Sequence, residues 1–159
     1  MKIYIADTNI FRHWWDEYYF PQFFPSVKQK FEELIIQKRF FVPTAVIEEI
    51  DDICSLPVGK WVRANPKMLL SNNNLVQQKL KEVLTQFPKL VDEERPDRDA
   101  DVWVIAHALV MQGTVFTLET PVSTKPRPRQ PYYMPDACNH YKVPYFDFFQ
   151  FMQEEKWFI

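Results

Sequence analysis

Four stretches of the chain set carboxylates beside apolar runs. Asp7 closes "IYIA", the Glu48–Glu49 pair sits inside "AVIEEIDDI", Asp97, Asp99 and Asp101 lead into "VWVIAHALV", and Glu119 ends "VFTLE". A short apolar run of this kind reads as a buried strand of a parallel sheet, and ligands of open α/β sheets bind outside the carboxyl ends of such strands. Asp7 and Glu119 therefore stand where chemistry is done. Helical phase chooses among the others. With Val46, Ile50 and Ile53 taken as the buried face of their helix, Glu49 falls roughly 70° from its centre and Glu48 roughly opposite. With Val102, Ile105 and Leu109 as the stripe of the later helix, Asp101 lies about 40° from Ile105, whereas Asp99, if helical at all, points roughly 120° away. Asp7, Glu49, Asp101 and Glu119 are thus the candidate catalytic and metal-binding set.

Several carboxylates at one apolar margin repel one another and are costly to bury. A hard divalent cation removes that conflict. Mg²⁺ or Mn²⁺ prefers oxygen ligands and keeps coordination open to a phosphate, which points to metal-assisted hydrolysis of a phosphodiester without a protein nucleophile. Each acid also has an ordinary reading: Glu49 as a solvated helix residue, Asp101 as a first-turn acid complementing the helix dipole, Asp7 and Glu119 as turn or loop residues.

The elements that must position these groups alternate. The spacing predicts a strand at "IYIA", a short helix opening near Asn9, a helix over about 26 to 38, and a strand at "FFVP". Thr44 should cap the helix carrying "AVIEEIDDI", and "SLPVGKWVRANP" reads as a proline-interrupted connection. A helix over about 72 to 86 and the loop "FPKLVDEERPDR" come next. The helix "DADVWVIAHALVMQG" should close on Gly113, followed by the strand "TVFTLE", a proline-rich loop, a helical turn at "DACNHY", a strand at "VPYFDF" and a final helix. Strands alternating with helices imply an α/β fold with a parallel sheet covered on both faces.

Composition narrows the classes further. The 159 residues suit one domain, with 47% apolar and 16% aromatic residues to fill its core, and no apolar stretch reaches the ~18 residues of a membrane span. A strand starting directly after Met1–Lys2 leaves no room for a signal peptide, and Cys54 and Cys138 are too few for a disulfide framework; both suit a soluble cytoplasmic protein. With a net charge of −2, any nucleic-acid site must be local. Gly59 and Gly113 are the only glycines, so no glycine-rich phosphate loop exists. Lys125, Arg127 and Arg129 in "STKPRPRQP" leave directly from Glu119 and are the candidate phosphate grip, or else an ordinary solvated loop. His107 reads as a structural histidine and Asp136 as a helix cap. Trp14, Trp15, Tyr18 and Tyr19 read as core or dimer packing, with base stacking as the alternative.

"YIADTN", "PTAVIEEI" and "ADVWVIAHALVMQGTVFTLE" resemble the successive signatures of the PIN domain. The closing "MPDACNHYKVPYFDF" is similar to a bacterial branch associated with toxin–antitoxin pairs. The resemblance spans nearly the whole chain and implies a single domain over residues 1–159, a three-layer α/β/α sandwich. It implies a metal-dependent endoribonuclease of the VapC-like toxin kind, with an RNA substrate, an antitoxin partner and a homodimer as a further possibility. By position its four acids are Asp7, Glu49, Asp101 and Glu119, and Thr8 and Asn9 match polar positions that orient Asp7 or a water. The family often has Asp in the fourth place; Glu119 reaches about one methylene further, which leaves open whether it meets metal directly, through water or not at all. A catalytically silent RNA- or protein-binding scaffold is the competing reading. An aspartyl phosphotransferase of the haloacid dehalogenase type fits poorly, because it needs a second Asp where Asn9 stands and a small hydroxyl residue where Phe11 stands.

Overall fold

The computed structural model describes residues 1–91 and 99–158. Five short strands, β1 (Tyr4–Ala6), β2 (Phe40–Pro43), β3 (Leu69–Leu70), β4 (Thr114–Phe116) and β5 (Tyr145–Phe146), form one sheet in the order β3-β2-β1-β4-β5. Every pairing is parallel. Parallel neighbours need long crossovers, and helices supply them: α1 (Thr8–Phe11) and α2 (Pro25–Ile36) between β1 and β2, α3 (Thr44–Ile53) and α4 (Leu56–Ala64) before β3, α5 (Asn74–Gln86) and α6 (Ala100–Met111) before β4, and α7 (Met134–Tyr141) before β5. α8 (Phe148–Glu155) ends the chain. The result is the expected α/β/α arrangement.

Strand alternation sends successive side chains to opposite layers. On one face Tyr4, Phe40 and Phe116 meet α2 and α8: the rings of Phe116 and Phe151 stack at 4.2 Å, Tyr4 meets Phe151 edge-on at 4.8 Å, and Phe31 meets Phe40 at 5.0 Å. On the other face Ile5 meets Gly113 just past α6, which lies across β1, β2 and β4. The aromatic-rich composition is thus spent mainly on one layer. Trp14 belongs to it, fully buried and stacked on Phe31, while Tyr18 is 60% exposed. Trp14 and Tyr18 ride on a seven-residue π-helix, Arg12–Tyr18, that continues α1.

From β1 the chain moves outward through β2 to β3, then returns to the other side of β1 for β4 and β5. The strand order reverses between β1 and β4, and a crevice opens at the carboxyl ends of such a pair.

Several local expectations are corrected. "SLPVGKWVRANP" is not a connection but contains α4, because Pro57 lies in its first turn, where proline is tolerated, and Pro66 stands beyond its end. Thr44 begins α3 rather than capping it; Pro43 is the cap residue. Ile53 does not complete the buried face of α3 and is 43% exposed in its last position. β3 is two residues long, too short to leave a pattern. Gly113 does not cap α6: Gln112 takes the left-handed conformation at φ 53°, and Gly113 is needed instead for close approach to β1. Asp97 lies outside the described residues. Among the described residues no helix is long and apolar enough to cross a membrane.

Candidate metal centre

Asp7 is placed by β1 and locked to β4. Its backbone N–H donates to the Phe116 carbonyl at 2.9 Å, and its Oδ1 accepts the Thr8 N–H at 2.7 Å, capping α1. Its other oxygen, Oδ2, accepts the Thr117 hydroxyl at 3.0 Å. The Thr117 oxygen in turn accepts the Glu119 backbone N–H at 3.1 Å, so one hydroxyl ties the ends of β1 and β4 together. Thr117 belongs to the candidate site, and the sequence reading missed it. Its signal is present, since it is the polar residue inside "VFTLE" two positions before the acid.

Asp101 enters from the first turn of α6 and Glu119 from the segment after β4. Asp7, Asp101 and Glu119 each offer one carboxylate oxygen, and these three atoms lie within 4.8 Å of one another. Glu49 stands beside this triad rather than in it. Its Oε2 accepts the Thr8 hydroxyl and its Oε1 the Ala100 N–H, both at 2.9 Å, which joins α3 to the start of α6. Glu48 is exposed, as helical phase predicts.

The electrostatics follow from crowding like charges in a partly buried crevice. Burial, then the charges of Glu119 and Glu49, push Asp7 up to about 7 against the opposing hydrogen bonds of Thr117 and Thr8. Burial drives Asp101 well above the carboxylate range, reinforced by Asp7, Glu119, Asp99 and Glu49. Glu49 and Glu119 are also raised by burial; the Ala100 N–H and the Thr8 hydroxyl oppose this for Glu49, and the Met134 N–H and the Lys125 charge oppose it for Glu119. Glu119 Oε2 is buried and has no hydrogen-bond partner among the described residues. An orphaned carboxylate oxygen in a group with buried Asp7 and half-buried Asp101 suits a hard cation, which would satisfy it and neutralise the group at once. The donor set fits.

The remaining candidates scatter. Thr8 is buried and holds both Asp7 and Glu49, while Asn9 lies half-buried in α1. Asp99, the cap residue of α6, is extended rather than helical, so the phase argument does not apply to it, and its charge acts on Glu49, Asp101 and Glu119. Lys125 is half-buried, with its Nζ 3.1 Å from Thr120 Oγ1 and 4.4 Å from the centre of the Tyr133 ring, whereas Arg127 and Arg129 are exposed. His107 is buried, Nε2 lying 3.2 Å from Asn72 Oδ1. Asp136 accepts the N–H groups of Tyr133 and Val122 at 2.8 and 2.9 Å, a capping role from the third position of α7.

Two solved structures share the fold. VapBC2 from Rickettsia felis, bound to a DNA fragment from its promoter, aligns with a TM-score of 0.54 at 11% identity over 92% of this chain and 98% of that one. VapBC-1 from nontypeable Haemophilus influenzae aligns with a TM-score of 0.54 at 16% identity over 91% and 97%. The fold is PIN-like. No curated protein sequence matches the chain. A family model described as "Domain of unknown function (DUF4411)" matches residues 4–159, and the chain belongs to that family.

Proposed function

We propose that the chain is a single-domain, Mg²⁺- or Mn²⁺-dependent endoribonuclease acting in the cytoplasm as the toxin of a toxin–antitoxin pair. The observation that carries this reading is the convergence of Asp7, Asp101 and Glu119 at the β1–β4 switch point, with one Glu119 oxygen buried and without a hydrogen-bond partner among the described residues. The likeness of the fold to chains named VapBC supports the toxin–antitoxin part. These three acids would hold the cation, which when bound would neutralise phosphodiester charge and make water a competent nucleophile. Glu49, through Thr8, fixes the orientation of Asp7, and Thr117 fixes the distance between Asp7 and the Glu119 segment. Lys125, beside Glu119, stands with Arg127 and Arg129 to meet flanking phosphates. Incubation of the purified protein with transfer, ribosomal and messenger RNA, with and without Mn²⁺, tests the reading. Discrete internal cuts that need metal and vanish in Asp7→Asn are expected; metal binding with no cleavage of any RNA would leave a silent scaffold instead.

A further inference from the structure

On the β4–β5 side of the sheet's carboxyl edge lies a cleft of about 310 Å³, lined by His13, Tyr19, Leu118, Asp147, Phe148 and Phe149. Its place follows from register. Phe116 pairs with Phe146, so Leu118 just past β4 and Asp147–Phe148 just past β5 emerge on the same edge as Asp7 and Glu119. In the stretch 117–119, Thr117 binds Asp7 and Glu119 joins the acid cluster, while Leu118 between them forms a wall of the cleft. β5 is two strands from β1, which sets Asp147 about 10 Å from Asp7 across the edge.

The walls are aromatic and partly open to water. Tyr19 and Phe148 lie nearly parallel at 5.5 Å and 19°, and His13 stands 5.0 Å from Phe148 and 4.5 Å from Tyr18. Of the lining rings Phe149 is 68% exposed and Phe148 is buried, and Tyr18, 60% exposed, stands against His13 outside the lining. An exposed Phe149 ring beside half-buried His13 and Tyr19 suits a planar π-system, because stacking tolerates any base. The cations Lys125, Arg127 and Arg129 follow Glu119 on the loop that leaves the same edge, so the occupant that matches both features is a polyanion carrying planar groups. A second copy of the chain would account for exposed rings but not for their place beside the acid cluster and the basic loop.

We propose that this cleft is a stacking subsite for one unpaired base of a single-stranded RNA whose backbone crosses the acid cluster, an inference that rests on the nuclease reading above. Short oligoribonucleotides carrying 2-aminopurine at each position in turn test it, read in the binding phase after stopped-flow mixing with the wild-type protein and with Phe149→Ala, His13→Ala and Phe149→Trp. Quenching at one position is expected, with affinity falling roughly ten-fold in Phe149→Ala, falling also in His13→Ala, and recovering in Phe149→Trp. No quenching at any position, or unchanged affinity in folded Phe149→Ala, overturns the subsite. A dimer that falls apart in Phe149→Ala while affinity holds assigns the patch to self-association and overturns it as well. Cleavage without quenching removes the subsite and leaves the nuclease; quenching without cleavage does the reverse.

Discussion

The Thr8 hydroxyl donates a hydrogen bond of 2.9 Å to Glu49 Oε2. Because Ala100 N–H occupies the other oxygen at 2.9 Å, both oxygens of Glu49 are engaged within the protein, as both oxygens of Asp7 are, but Glu49 has no oxygen in the convergence of Asp7, Asp101 and Glu119. Glu49 therefore acts on the cluster by holding Thr8 and by its charge. Glu49→Gln should weaken Mn²⁺ binding about ten-fold, as loss of a supporting partner does, whereas Asp101→Asn should abolish measurable binding. Isothermal titration of both folded variants checks the ranking. Equal losses would move Glu49 into the ligand set.

The raised acids make stability depend on pH in the sense opposite to an ordinary ion-paired carboxylate. Asp7 holds its proton more tightly folded, at about 7, than in the unfolded chain. Its contribution is fully present below the usual carboxylate range, near pH 4, and is lost as pH rises through about 7. Metal-free protein should therefore melt at a lower temperature at pH 8 than at pH 5. Asp7→Asn, which cannot ionise, should exceed the wild type at pH 8 by about 2 kcal/mol. Added Mn²⁺ should reverse the wild-type deficit by replacing the protons. Thermal melts across this range with EDTA or Mn²⁺ provide the measurement, and a flat metal-free profile would show that the acids do not share one partly buried crevice.

Gly113 carries a packing constraint independent of the site. A Cβ there would meet Ile5 Cγ1 at 3.2 Å and the Ile3 carbonyl at 3.3 Å, and one of these contacts is rigid backbone at the edge of β1. Gly113→Ala should destabilise the fold by about 1–3 kcal/mol, the usual range for overpacking a core. Chemical denaturation reads this directly. A neutral or stabilising result would show that β1 and the end of α6 have room to separate.

The features most legible in sequence are those set by periodicity over several residues. The alternation of strand and helix, the ends of β1 and β4, and the phase that separates exposed Glu48 from half-buried Glu49 all come from patterns that one substitution does not erase. The missed features depend on single residues with two uses. Pro57 breaks a helix interior but suits a helix start, so α4 was hidden among prolines. Gly113 suits a cap but serves close packing, while Gln112 takes the strained backbone. Within the site, the reading along each element could not show that the Thr117 hydroxyl bridges two strand ends, because β1 and β4 are far apart in the chain and meet only in the sheet. Helical phase could place Asp99 only if it were helical, and it caps α6 in an extended conformation and so escapes the helical wheel.

That position of Asp99 separates it from Glu48. The two line one cavity of about 420 Å³ between α3, α5 and α6, yet the charge of Asp99 reaches Glu49, Asp101 and Glu119, whereas Glu48 lies exposed on α3. Glu48→Gln should leave Mn²⁺ affinity unchanged. Asp99→Asn should weaken it several-fold, less than Asp101→Asn, because it removes a neighbouring field and no ligand oxygen. Salt distinguishes the two kinds of loss. Ions screen a partly solvated charge far more than a buried one, so the deficit of Asp99→Asn should shrink at high ionic strength while that of Asp101→Asn persists. Titrations of the three variants at low and high salt decide the matter. A Glu48→Gln defect exceeding that of Asp99→Asn, or an Asp99→Asn deficit indifferent to salt, would show that Asp99 does not act on the cluster through its charge.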